Sequence, residues 1–221
     1  MPSINFDHNN NLIYSSNDGN GIIWDDHSSI PLYSQYIVSV STSYAVGTEF
    51  FVKLEALEKE NIDSLIIDVR SNSGGYLSSV TDIASMFLNK SKIIYQLDTK
   101  GVVEQIYSKT KESRNYKVVV LIDKASASAS EILAGAMQES YGATIIGTNS
   151  YGKGTVQAAY QLESGATVKY TIQKWLTPNG NWINEVGITP DIEVELTEEY
   201  ANNPSDETDS QLQKALEELS K

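Results

Sequence analysis

The chain has 221 residues, enough for one large domain or two small ones, and 40% of them are hydrophobic, so it can bury a sizeable core. Its 16 lysines and arginines against 29 aspartates and glutamates give a net charge of −13, which disfavours binding to nucleic acid and to anionic membrane surfaces. The lack of cysteine excludes disulfides, thiolate zinc sites and cysteine nucleophiles, and only 2 histidines leave little for a histidine triad or a metal cluster.

The first 35 residues are rich in Asn, Asp and Ser and predict turns with short strands and no helix. The chain begins without a basic segment followed by an apolar one, so we expect no leader. The longest apolar run, residues 118–122, is far shorter than the roughly 20 residues that cross a bilayer. We therefore expect no membrane insertion of this chain.

Strands and helices are predicted to alternate through the middle of the chain. Short apolar runs predict strands at residues 36–40, 64–69, 93–97, 117–122 and 143–147. Apolar residues at helical spacing predict helices at about 46–57, 80–87 and 128–141. This alternation is typical of an α/β fold with parallel strands.

The last third of the chain predicts an added antiparallel part. Residues 167–172 alternate as in a strand, and residues 178–181 predict a turn. Residues 198–209 have the composition of a polar, acidic linker. A closing helix is predicted to follow it, with a capping box formed by Thr208 and Gln211.

Three clusters of small residues follow the ends of predicted core strands, at 72–75, 125–131 and 151–155. Each has an ordinary structural explanation. The paired glycines Gly74 and Gly75 are typical of a backbone reversal, Ser128 and Glu131 fit a helix capping box, and a lysine between glycines is usually a solvated turn residue. However, strand carboxyl ends form the edge of an α/β sheet at which ligands usually bind.

Residues 147–153 match the first seven positions of a phosphate-binding loop. The eighth position, which should carry the hydroxyl that holds magnesium, is Gly154, and the residues from Thr155 onward predict a strand where that loop requires a helix. We therefore expect no nucleotide site.

Taken together, the clusters favour acyl transfer. This chemistry needs a nucleophile, a base within hydrogen-bond reach and donors for the oxyanion. With histidine scarce, the base must be a lysine or a carboxylate, and a lysine serves only if burial lowers its pKa from about 10.4 towards 7–8. A serine in the first turn of a helix lies near free backbone amides, and the Gly74 amide is a candidate for the second oxyanion donor.

Five ordered motifs resemble the C-terminal processing peptidase, or tail-specific protease, family over residues 36–197. They lie at residues 68–75, 126–131, 151–157, 176–180 and 186–191. The resemblance implies a Clp protease/crotonase-like core of stacked strands and helices, with an additional antiparallel β part. It also implies a serine endopeptidase that uses a serine–lysine dyad and an acyl-enzyme, with no cofactor and no metal.

The site residues follow from the resemblance. It assigns the nucleophile to Ser128 and the general base to Lys153. Glu131 and Gln157 occupy the positions of the third participant, and either can orient the lysine. The oxyanion donors are the amides of Gly74 and Ala129.

The resemblance divides the chain into a segment at 1–35 without an assigned function, a catalytic core at 36–197 and an acidic linker with a helix at 198–221. Most relatives carry a peptide-binding PDZ domain before the core, and residues 1–35 are too short for one. The expected partners are protein or peptide substrates cut near C-terminal tails, with apolar residues near the cut. The expected location is extracytoplasmic. The sequence does not decide whether the chain forms a homo-oligomer.

Two other functions stay open at this point. The first is a non-catalytic peptide- or ligand-binding module on the same fold, although the intact serine–lysine pair argues against it. The second is a crotonase-like acyl-CoA enzyme, although no basic cluster is present to receive the phosphates of coenzyme A.

Overall fold

The computed structural model describes residues 54–59 and 61–221, together with the backbone of three N-terminal strands. In chain order the strands are β1 (Asn5–Phe6), β2 (Leu12–Ile13), β3 (Gln35–Ser39), β4 (Ser64–Asp68), β5 (Ile93–Thr99), β6 (Val102–Tyr107), β7 (Lys117–Ile122), β8 (Thr144–Gly147), β9 (Thr155–Gln161), β10 (Thr167–Leu176) and β11 (Ile192–Glu193). The helices are α1 (residues 54–59), α2 (Leu77–Phe87), α3 (Ala129–Ala136, followed by the π-helical segment Met137–Tyr141), α4 (Glu198–Asn202) and α5 (Ser210–Leu219). The first two thirds of the helix predicted at 46–57, and most of the predicted turns before residue 35, lie outside the described residues.

A parallel sheet forms the centre of the described fold, with the strand order β11-β8-β7-β4-β3. Its central strands β4 and β7 pair with Leu65 opposite Val118 and Ile66 opposite Val119. Because successive side chains of a strand point to opposite faces, such strands need an apolar cover on both sides. The apolar runs that predicted these strands are therefore explained by burial on two faces.

Helices cover both faces of this sheet. Leu65 and Ile67 lie in one apolar cluster with residues of α2 and α3, such as Ile83 and Ile132. On the opposite face, Ile66 and other alternate strand residues pack against α5 through Leu212, Ala215 and Leu219. The closing helix of the sequence is thus an integral layer of the core.

A second, antiparallel sheet has the order β6-β5-β10-β9. Trp175 of β10 lies opposite Leu97 of β5 and is 2% exposed, so this sheet joins the same core as α2 and α3. Strand β6 has no counterpart in the sequence prediction. Most of its residues are exposed and it lies at the edge of the sheet, so it lacks the apolar alternation of a half-buried strand. The predicted α/β class with an added antiparallel part is confirmed.

The predicted start of the last helix is wrong by one residue. Asp209, and not Thr208, caps α5, and its carboxylate accepts hydrogen bonds from the amides of Gln211 (3.1 Å) and Leu212 (3.0 Å). The predicted linker before it also contains the short helix α4. The cap depends on a distant partner, because the guanidinium of Arg70, just after β4, pairs with Asp209 at 2.8 Å and with Asp68 at 2.7 Å.

Across the part of the chain that the structure describes, none of the helices has the length and apolar character that crossing a bilayer demands.

Candidate active site

The three loops that follow β4, β7 and β8 lie side by side, because parallel strands end at the same edge of their sheet. Backbone hydrogen bonds connect these loops directly. The amide of Ala127 donates to the carbonyl of Asn72 (3.0 Å), and the amide of Tyr151 donates to the carbonyl of Ser126 (3.0 Å). All three small-residue clusters therefore form one continuous surface, as predicted from their position after the strands.

Ser128 immediately precedes α3 and has a strained backbone. Its φ of 56° and ψ of −113° lie in a region that residues with a side chain rarely adopt. Such a conformation costs about 1–3 kcal/mol and persists only where the surrounding structure imposes it. The half-buried side chain of Ser128 lines a pocket at the carboxyl edge of the sheet.

The two neighbouring serines of the same motif are placed differently. Ser126 is fully buried, and its hydroxyl donates to the carbonyl of Val69 (2.8 Å). Ser130 is 1% exposed, and its hydroxyl donates to the carbonyl of Asn72 (3.0 Å). These two hydroxyls hold the loops together, whereas Ser128 faces the pocket.

Glu131 is fully buried and connects the serine loop with the lysine loop. One carboxylate oxygen accepts from the amides of Ser128 (2.7 Å) and Lys153 (2.9 Å). The other oxygen accepts from the amide of Gly152 (2.6 Å) and the hydroxyl of Ser150 (2.6 Å). The predicted capping role therefore describes only one of four bonds, and the carboxylate fixes the backbone on both sides of the pocket.

Lys153 is half-buried and lines the same pocket as Ser128. Within the described residues its hydrogen bonds involve only its backbone, because its amide donates to Glu131 and its carbonyl accepts from the indole of Trp175 (2.6 Å). The glycines on either side allow a close approach to residues 184–187. A Cβ at Gly154 would lie 2.6 Å from the amide nitrogen of Asn184. The chain then continues into strand β9, as predicted for the residues from Thr155 onward.

Gln157 lies on β9, exposed, opposite Thr171 of β10, and it also lines the pocket. The two predicted supports for the lysine are thus in different positions. Glu131 is buried and binds the backbone amides of both loops, whereas Gln157 lies on the pocket wall.

The predicted oxyanion donors lie beside Ser128. Gly74 has a φ of 100°, and a Cβ there would lie 2.6 Å from the carbonyl oxygen of Ala127 and 2.8 Å from the Cβ of Ser128. Its amide donates to the side-chain oxygen of Asn72 (3.0 Å), so this bond has to open before the amide can bind an oxyanion. Ala129 is the first residue of α3, and its amide therefore has no acceptor one turn earlier in the helix.

The pocket has a volume of about 220 Å³. Its apolar walls include Leu77, Ile132 and Trp175, and a second lysine, Lys169, also lines it. The sequence analysis did not identify Trp175 or Lys169. Both lie on β10, more than ten residues after Lys153, and only the pairing of β10 with β9 and β5 brings them to the pocket.

A family model and a curated relative match most of this chain. Residues 36–194 match the model of peptidase family S41. Carboxy-terminal processing protease CtpB of Bacillus subtilis is 42% identical over 170 residues, which cover 76% of this chain and 35% of that protein. The chain thus spans about a third of the length of this relative.

Solved structures show the same fold. A photosystem II D1 C-terminal processing protease superposes with a TM-score of 0.65 at 29% identity, covering 73% of this chain and 42% of that one. A putative peptidase from Parabacteroides merdae has a TM-score of 0.70 at 22% identity, covering 91% of this chain and 65% of that one. These matches confirm the predicted resemblance to the C-terminal processing peptidases and the Clp protease-like fold. The chain belongs to peptidase family S41.

Proposed function

We propose that the chain is the catalytic part of a serine endopeptidase that uses Ser128 and Lys153. The observation that carries this proposal is that these two side chains, 25 positions apart in the sequence, line one pocket beside the start of α3. The strained backbone of Ser128 supports it, because such strain is typical of functional residues.

The proposed reaction has two halves. The hydroxyl oxygen of Ser128 attacks the scissile carbonyl while the neutral amine of Lys153 takes its proton, which gives a tetrahedral intermediate and an ammonium. The ammonium returns the proton to the leaving amine as the carbon–nitrogen bond breaks. Water, deprotonated by the same lysine, then attacks the acyl-enzyme and releases the acid and free Ser128.

The amides of Ala129 and Gly74 are the proposed donors to the oxyanion. For Gly74 this requires the side chain of Asn72 to move away from the amide that it accepts from. Such an exchange keeps the donor hydrogen-bonded when no substrate is present, so the empty site avoids an orphaned amide.

Glu131 is proposed as a positioning residue that acts through the backbone, since it accepts from the amides of both Ser128 and Lys153. Gln157, on the pocket wall, is the proposed partner of the lysine side chain or of the substrate.

The proposed substrates are proteins cut near their C-terminal tails, in line with the printed names of the relatives. The apolar pocket walls support a preference for apolar residues near the cut. Action outside the cytoplasm is part of the same proposal and depends on the family alone.

The test combines chemical labelling with hydrolysis. A fluorophosphonate should label wild type on Ser128, and wild type should cleave casein or a peptide, whereas Ser128→Ala and Lys153→Ala should do neither. Lys124→Ala is a matched control, because Lys124 is exposed and lies outside the pocket. Full activity in Ser128→Ala, or labelling of a different serine, would refute the assignment.

A further inference from the structure

A second lysine lines the pocket, and the proposed mechanism does not use it. Lys169 lies on β10 opposite Ala159 of β9, so the facing side chain is small and leaves room for a ligand. Its own side chain is exposed. Lys169 is therefore open to solvent on the pocket wall that also carries Gln157.

The charge of the pocket is opposite to that of the chain. The residues that line it include two lysines and no aspartate or glutamate, in a chain of net charge −13. Among the described residues Lys169 forms no ion pair, whereas the nearby Lys174 lies over the ring of Trp182 at 4.1 Å from its centroid. Within the described ranges, no carboxylate pairs with the ammonium of Lys169.

The two lysines cannot have the same role. In the proposed mechanism Lys153 takes the proton of Ser128, whereas Lys169 has no part in the proton transfer and is available to the substrate. We propose that Lys169 is a specificity-determining residue, which binds a carboxylate of the substrate while the scissile carbonyl lies at Ser128. This inference rests on the proposed peptidase function and names the chemistry that its pocket selects.

Two kinds of group supply such a carboxylate in a peptide. One is the free α-carboxylate at the C-terminus, and the other is the side chain of an aspartate or glutamate near the cut. An ammonium binds both in the same way, as a charge-assisted hydrogen bond. The combination of apolar walls with one cation favours peptides that place a carboxylate close to apolar residues.

The test uses matched peptides of one apolar sequence. One pair differs in a C-terminal acid or amide, and a second pair differs in aspartate or asparagine next to the cut. For wild type we expect kcat/KM to be about two- to fivefold higher for the carboxylate member of at least one pair, as for an exposed ionic contact. The pair that shows the preference identifies the source of the carboxylate.

Lys169→Gln should bring that ratio to about one, and Lys169→Glu should reverse it, since a like charge repels the carboxylate. Lys174→Gln is the matched control on the same strand and should keep the wild-type ratio. An unchanged ratio in Lys169→Gln, or equal loss in both lysine variants, would overturn the proposal.

A binding measurement separates this inference from the proposed function. Fluorescence anisotropy of the same labelled peptides with Ser128→Ala, with and without Lys169→Gln, reports the carboxylate preference without turnover. If Ser128→Ala binds the carboxylate peptide preferentially while wild type cleaves none of the peptides, the role of Lys169 stands and the peptidase is refuted. If wild type cleaves the peptides but neither kcat/KM nor binding prefers the carboxylate, the peptidase stands and the role of Lys169 is overturned.

Discussion

Replacing Glu131 removes the acceptor that the serine loop and the lysine loop share. In Glu131→Ala two buried and two half-buried donors lose their partner, namely the Gly152 amide, the Ser150 hydroxyl and the amides of Ser128 and Lys153. A buried donor without an acceptor costs about 1–3 kcal/mol, and water that enters the emptied space can accept hydrogen bonds from some of the four donors. We expect a loss of about 4–6 kcal/mol, a large fraction of the 5–15 kcal/mol that stabilises a typical domain.

Glu131→Gln is a milder change of the same site. The amide oxygen can keep the bonds to the amides of Ser128 and Lys153, and the hydroxyl of Ser150 can turn to accept from the new NH₂ group. The Gly152 amide then faces a donor, which costs about 1–3 kcal/mol, and the remaining bonds lose the strengthening that a charge gives. We expect a total loss of about 2–4 kcal/mol, with catalysis slowed but still detectable.

Urea unfolding measures the stability of both variants, and the rate of fluorophosphonate labelling of Ser128 measures the integrity of the site. Glu139→Gln serves as the control, because Glu139 also accepts from a backbone amide, that of Asn179 (2.6 Å), but at an exposed position. It should lose less than about 1 kcal/mol. If Glu131→Gln were as stable as Glu139→Gln, the idea that one buried carboxylate holds both loops would be wrong.

Three further predictions concern local features. Ser128→Gly should be about 1 kcal/mol more stable than Ser128→Ala, because only glycine relieves the strain at φ 56°, although the larger entropy of its unfolded chain offsets part of the gain. The urea midpoints of the two variants test this, and the opposite order would contradict the strain. Gly74→Ala should lose at least about 2 kcal/mol of unfolding free energy and all labelling of Ser128. Gly101→Ala, also at positive φ but with no atom within 4 Å of an added Cβ, should lose less stability. Equal losses would mean that the close packing at Gly74 is unimportant. Burial tends to raise the pKa of Glu58, but its hydrogen bond and ion pair with Arg114 lower that pKa below the ordinary value of 4.5. The stability that Glu58 adds is therefore complete above pH 4.5 and lost as the pH falls through the lower folded-state value. The urea midpoints of wild type and Glu58→Gln should converge in acid, and a constant difference between them would contradict the pairing.

The central sheet could be predicted from the sequence because its strands are buried on both faces. The predicted strand at 117–122 coincides with β7, and the one at 64–69 is one residue longer than β4. Only a strand covered by helices on two sides tolerates so many consecutive apolar residues, and this also places the following loops at one edge.

Features that depend on distant partners could not be predicted. Asp209 replaces Thr208 as the cap of α5, and it pairs with Arg70, which lies 139 residues earlier in the chain. Three of the four partners of Glu131 lie about 20 positions later in the sequence, and periodicity carries no information about such contacts. Lys169 belongs to an exposed strand, and only the sheet pairing places it beside Ser128.

The pairing of Arg70 with Asp68 and Asp209 joins the beginning of the Ser71–Tyr76 loop to the start of α5. The guanidinium of Arg70 is largely buried. Detaching α5 would expose the carboxylate of Asp209 to solvent and leave Arg70 paired only with Asp68. The free energy of peeling α5 from the sheet therefore includes an electrostatic cost paid next to Gly74. Local opening of α5 is therefore expected to loosen the start of the loop at 71–76, which carries the proposed oxyanion donor Gly74.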